Sequence, residues 1–343
     1  MNIGARRVFR LSITTALALA AGYALAVTMP FLAPLLAFTL TATPKPPFGF
    51  KGLLALLLVF FILLSTGLIL TPVLQHYAAT GLLLVILSLF IANYITLNLG
   101  KAPIGMLLTI GVTLIALLGQ VSIDLAVLVT QEMLIAIAIA VVCQWMVYPL
   151  FPEDSSPPEA PQKPEPVQNS WLAGRATLTI FPVFLVGLTN PTFYAPIIMK
   201  SVALSQQTSK TNARDAGWEL LGSTFMAGIL AIVFWFCLKL MPNLWMFTLW
   251  TLAFAIWVSA KFYGIFPSRF SPSFWQNAFV TMFILIGPAV ADSANGKDPY
   301  KAFAVRMGLF ICVTLYAWLA LWFLEWLRER HLHKRESAAL TTS

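Results

Sequence analysis

Phe31-Leu32-Ala33-Pro34-Leu35-Leu36 and Phe193-Tyr194-Ala195-Pro196-Ile197-Ile198 are one phrase written twice. Each copy opens a second apolar segment, downstream of a first that begins on an arginine, Arg10 or Arg175. A phrase repeated at matching places in two apolar halves marks a duplicated membrane unit, and duplication of that kind points to transport.

Composition supports the membrane reading. Hydrophobic residues make up 59% of the 343 and charged residues 10%, against about 25% charged in soluble domains, and the mean hydropathy is +0.84. The net charge of +8 comes from lysines and arginines set singly among apolar runs. That pattern suits membrane topology and speaks against a nucleic-acid partner. Cys143, Cys237 and Cys312 lie inside apolar stretches with no metal-ligand spacing, so they read as packed thiols. No G-x-x-x-x-G-K-[ST], HExxH or G-x-S-x-G motif occurs, and the histidines are His76, His331 and His333. The expectation is therefore no enzyme, no metal and no cofactor, and any uphill transport must draw on an ion or proton gradient or on a partner.

A spanning helix needs about 20 apolar residues. On that basis spans are expected near 11–29, 31–43, 52–71, 77–98, 102–120 and 125–150, then 173–189, 192–208, 214–239, 243–260, 273–291 and 301–327. With the N-terminus inside, sixteen lysines and arginines fall on the cytoplasmic side and three, Lys239, Lys297 and Lys301, outside. The fold class expected is an all-α polytopic membrane protein of about 12 transmembrane helices in two parallel six-helix repeats. Residues 1–150 form the first repeat, 151–170 a proline-rich acidic cytoplasmic linker, 171–327 the second repeat and 328–343 a basic cytoplasmic tail. Glu153, Asp154, Glu159 and Glu165 of the linker read as solvated. Arg6, Arg7 and Arg10 before Ala24-Leu25-Ala26 imitate a secretory signal, but the apolar run passes straight into the first copy of the phrase and reads as a retained span.

Charges inside spans are costly and face a cavity or a partner. Glu132 and Arg306 occupy matching repeat positions with opposite charge, which suits an ion pair bracing or gating the bundle. Lys200 lies at a similar depth, about 12 Å below the outer end of its span, and its repeat counterpart is Phe38. An ammonium beside aromatic groups suits a ringed organic anion, with Phe38 or Tyr194 against the apolar body; a lysine snorkelling to the interface fits the same position. Pro34 and Pro196 start the two short second spans, the sequence pointer to a transporter site, and Gln207 shares a helix face with Pro196 and Lys200. Glu219, one turn inside its span, is placed to carry protons or to sit as an interfacial charge. Asp292, Lys297 and Asp298 read as solvated charges of an outer turn.

Taken together, the arginine-opened first spans, the short Ala33-Pro34 and Ala195-Pro196 second spans, the glycines Gly217, Gly222 and Gly228 after Arg214, and the charge early in each last span resemble the fusaric-acid-resistance and aromatic-acid-exporter family of bacterial inner-membrane proteins. The resemblance implies efflux of aromatic carboxylic acids or related toxic compounds, driven by the proton gradient, with a periplasmic adaptor of the membrane-fusion type as partner. It implies a multi-pass protein of the inner membrane with both termini cytoplasmic, and a homo-oligomer is compatible with it. Larger members carry a sizeable cytosolic region, whereas this chain has only the linker. A non-transporting membrane scaffold that anchors an adaptor or envelope complex is the alternative.

Overall fold

The computed structural model describes residues 2–153, 170–207, 213–296 and 298–341, and within them the side chains of all but 203–207, 213–217, 294, 329 and 331–341. Linker residues 154–169, Lys297, and the side chains of Gln207 and of the tail from 331 lie outside the described residues. What is described is helical, without strands. The helices are α1 (Ile3–Ala24), α2 (Leu32–Ala42), α3 (Phe50–His76), α4 (Ala78–Leu97), α5 (Ala102–Gly119), α6 (Ile123–Val147), α7 (Ser170–Thr189), α8 (Pro191–Gln207), α9 (Ala213–Leu240), α10 (Leu244–Phe262), α11 (Pro272–Ala294) and α12 (Pro299–Thr341).

Local chemistry sets several of these boundaries. Ser122, Asn243 and Ser271 cap α6, α10 and α11 by accepting a hydrogen bond from a backbone N–H of the first turn, and Pro272 follows its cap at a position where no N–H is needed. Pro34 lies in the first turn of α2, which is therefore continuous despite it. Pro196 is carried inside a continuous α8. Among the described residues α5 carries a π turn at Gly111–Ile115.

Among the described residues, nine helices are long and apolar enough to cross a membrane: α3 to α7 and α9 to α12. Three of the twelve expected spans fall short of that mark. α2 and α8 have 11 and 17 residues, and α1 carries Arg6, Arg7, Arg10, Ser12, Thr14 and Thr15. Outward faces of the long helices are apolar: Leu54, Leu58, Phe61 and Ile62 on α3, Leu83 and Leu87 on α4, Phe225 and Phe236 on α9, and Leu319 and Phe323 on α12 are all exposed. A surface of that kind is untenable in water and suits lipid, so the chain is a polytopic membrane protein.

The helix packing follows the same order in both halves. α1 lies on α2 and α6, and α7 on α8 and α12; α3 lies on α5 and α6, and α9 on α11 and α12. The halves meet at two equivalent crossings, α1 on α10 and α4 on α7. Each crossing holds a buried polar contact, Ser12 Oγ to Ser259 Oγ at 3.4 Å and Asn93 Nδ2 to Thr177 Oγ1 at 3.2 Å. Lesser contacts join α2 to α11 and α5 to α8, which brings the second, fifth and sixth helices of each half toward the centre.

Candidate functional site

Those six central helices enclose a cavity of about 770 Å³ at the end of the bundle where α2, α6, α8 and α12 begin. The volume lies within the range of small-molecule sites. Phe31 and Leu32 of α2 and its approach, Leu114 and Leu118 of α5, and Val129 and Met133 of α6 form one side. Phe193, Pro196 and Met199 of α8, Ile284 and Pro288 of α11, and Val305 and Leu309 of α12 form the other. Both copies of the duplicated phrase thus contribute their leading phenylalanine. Phe31 can seat against α11 only because residue 287 is glycine: a Cβ there would run into its ring. Phe193, Thr192, Lys301 and Val305 are exposed while Leu32, Leu114 and Ile284 are buried, so the cavity runs from the surface into the core.

Its polar groups are few: Asn190, Thr192, Asp292, Lys301 and Arg306. The second turn of α12 brings Arg306 toward the end of α11, where its Nη2 donates to Asp292 Oδ2 at 2.6 Å. Its Nη1 is buried and has no hydrogen-bond partner among the described residues. A buried guanidinium nitrogen in that condition is a donor that lacks an acceptor, and unsatisfied groups of this kind are uncommon in folded proteins.

The residues singled out in the sequence are distributed otherwise than expected. Glu132 does not meet Arg306. Its two carboxylate oxygens accept from the backbone N–H of Thr28 and of Met29, each at 3.2 Å, which ties α6 to the approach of α2. Asp292, read as a solvated loop charge, is instead the partner of Arg306 within α11. Pro196 lines the cavity, and Tyr194 is half-buried with its ring edge-on to Phe193. Pro34 is buried in α2 away from the lining, and Phe38 is fully buried with its ring 4.5 Å from that of Phe279. Lys200 is fully buried one turn beneath Pro196, donating to Thr281 Oγ1 at 2.8 Å and Asn277 Oδ1 at 3.3 Å of α11. Glu219 accepts hydrogen bonds from Ser271 and Ser273 at the start of α11. The side chain of Gln207 lies outside the described residues.

At the opposite end the sequence reading missed three ion pairs. Arg7 Nε donates to Glu153 Oε1 at 2.6 Å and Arg10 Nη2 to Glu153 Oε2 at 2.7 Å, and Arg10 also reaches the Phe151 carbonyl at 3.3 Å. Glu153 is therefore a structural partner of α1 rather than a solvated linker charge. Burial alone would raise its carboxyl, but hydrogen bonds from Arg7 and Arg10 and their charges outweigh that and hold it below the usual carboxylate range. In the second half Arg175 pairs with Glu325 of α12. Each first helix is thus fastened by its arginine to an acid of the sixth-helix region, Glu153 just past the end of α6 and Glu325 within α12. The signal was present in the paired arginines Arg10 and Arg175, but the acids lie at unequal distances after the sixth helices begin.

Among the described residues no group of three or more His, Cys, Asp or Glu side chains is placed to hold a metal. What the cavity can do chemically is bind: an apolar body between Phe31 and Phe193, and an acceptor on Arg306.

A family described as "Protein of unknown function (DUF2955)" matches residues 7–147. That stretch runs from the first turn of α1 to the last residue of α6. No curated protein and no solved structure matches the chain.

Proposed function

We propose that the chain is an efflux component of the bacterial inner membrane, exporting organic anions of the aromatic carboxylate class. The observation that carries this reading is Arg306, a cation on the wall of a largely apolar cavity, whose Nη1 has no hydrogen-bond partner among the described residues. A carboxylate satisfies such a nitrogen, and a ring fits between Phe31, Phe193 and Pro196. The resemblance to aromatic-acid exporters agrees with this chemistry. Residues 1–150 and 171–327 act as two parallel repeats, and the cavity lies on the axis between them, lined by equivalent helices from each.

With both termini cytoplasmic, the cavity opens outward and the Arg10–Glu153 and Arg175–Glu325 pairs close the inner end. Such a state is the one that releases substrate. The chain has no nucleotide-binding motif, so the proton gradient is the proposed drive, and a periplasmic adaptor of the membrane-fusion type is the proposed partner at the outer end.

The test uses everted membrane vesicles and a panel of radiolabelled aromatic carboxylates. Wild-type vesicles should accumulate at least one of them when energised, and collapse of the proton gradient should abolish it. Arg306→Gln should reduce uptake about tenfold or more, the scale of a lost charge-assisted contact, with membrane levels unchanged. Uptake equal to wild type in that variant would remove Arg306 from the site.

A further inference from the structure

Lys200 is the largest polar side chain in the fully buried core. Among the described residues no carboxylate pairs with it. Its nitrogen meets two neutral oxygens, Thr281 Oγ1 and Asn277 Oδ1, while an ammonium has three N–H groups to place. Asn277 in turn donates to Ser223 Oγ of α9 at 2.6 Å. A cation removed from water without a counter-charge is strongly disfavoured, and neutral oxygens only partly offset that.

The position of this cluster relative to the cavity gives it meaning. On α11, Asp292, Pro288 and Ile284 line the cavity at successive turns, and Thr281 and Asn277 continue the same face inward. On α8, Thr192 and Pro196 line it and Lys200 is the next residue of that row. Met199 and Ile284 form the floor between the two. Arg306 reaches the outer end of this row from α12 through its pair with Asp292, and Lys200 lies farther in along the row, so one cation stands at the cavity and the other beneath it.

We propose that Lys200, with Asn277, Thr281 and Ser223, is a second anion station, taken by the substrate carboxylate when the floor between α8 and α11 opens. The missing counter-charge of Lys200 is the cargo. This rests on the transport reading above and adds to it a route: an anion coming from the inner side meets Lys200 first and passes to Arg306 for release. The first half has no equivalent station, since Phe38 stands where Lys200 would be and packs on Phe279. The path is thus confined to the α8–α11 side of the axis.

Two variants test it, with benzoate as the probe and the full chain in nanodiscs and proteoliposomes. Lys200→Met should keep equilibrium benzoate binding at the Arg306 cavity within about twofold and lower benzoate counterflow at least about tenfold. Asn277→Asp supplies Lys200 with a permanent counter-charge of the same shape. It should raise the melting temperature, keep binding and abolish counterflow, a combination that a purely structural lysine would not produce. Counterflow at the wild-type rate in Asn277→Asp, or in a folded Lys200→Met protein, overturns the station. Loss of binding in Asn277→Asp as severe as in Arg306→Gln also overturns it, because the two cations would then form one site. Absence of benzoate binding and counterflow in the wild-type chain overturns this inference along with the aromatic-anion reading beneath it.

Discussion

Glu153 serves two arginines at once, and one of them has little contact with solvent. Arg10 is 3% exposed; among the described residues its guanidinium would, without Glu153, keep the Phe151 carbonyl and the face of the Tyr148 ring, 5.6 Å away. Breaking a buried pair from one side costs about 3–5 kcal/mol, so Glu153→Ala should lower the melting temperature more than a change at exposed Asp124. A pH dependence follows. The folded-state pKa of Glu153 is depressed, so its contribution is complete above the ordinary carboxylate pKa and is lost as pH falls through the lowered value. Melts of wild type and Glu153→Gln should therefore differ most near neutral pH and converge as pH falls through the lowered value. A gap that widened on acidification would contradict the pairing. Sequence depth correctly raised Glu132 and Arg306 as unusual and wrongly joined them. A carboxylate can be satisfied by the backbone N–H groups of Thr28 and Met29 as well as by a cation, and no spacing in the sequence reveals which.

Helix extents were legible where the apolar run and its caps coincide, as in α10 between Asn243 and Tyr263. They were less legible where a helix continues through polar residues. α1 begins at Ile3 rather than near Leu11 because Arg7 and Arg10 are held by Glu153 instead of reaching for water. α12 runs on to Thr341, 43 residues or about 65 Å, roughly twice the hydrocarbon thickness. The π turn of α5 was not legible at all, since Gly111, Val112 and Thr113 read as ordinary apolar helix. It sits where α5 crosses α3 most closely: a Cβ at Gly67 would collide with the Gly111 carbonyl, and one at Gly111 with the Leu63 carbonyl. Close backbone contact of this kind is the main source of helix adhesion in lipid. Gly67→Ala should consequently destabilise by about 1–3 kcal/mol, whereas alanine at Gly174, which has open space around it, should be nearly neutral in the same thermal assay.

For the molecule as a whole, the duplicated phrase pointed to helices that line the cavity, since Phe31 and Phe193 both face it. It could not show that the halves interlock. Two segments with the same internal packing can lie side by side or cross, and it is the contacts of α1 with α10 and of α4 with α7, Ser12–Ser259 and Asn93–Thr177 among them, that distinguish these. Asymmetry was legible in part: Lys200 against Phe38 stood out in the sequence, while its partners Asn277 and Thr281 on α11 did not, being uncharged residues in an apolar run.

The two crossings, α1 on α10 and α4 on α7, are copies of one contact. Both seams are made by helices that lie wholly within residues 2–153 and 170–341, so continuity of the chain between Glu153 and Ser170 should not be needed for the halves to recognise each other. Residues 1–153 and 170–343, made as separate polypeptides in one cell, should co-purify as a one-to-one complex. Replacing both Asn93 and Ser12 with leucine should weaken that association at the two seams together. Failure of the unmodified fragments to associate would show that the seam depends on the tether. The two halves are, in this sense, a pair held permanently together, in which one side alone carries a lysine where the other has Phe38.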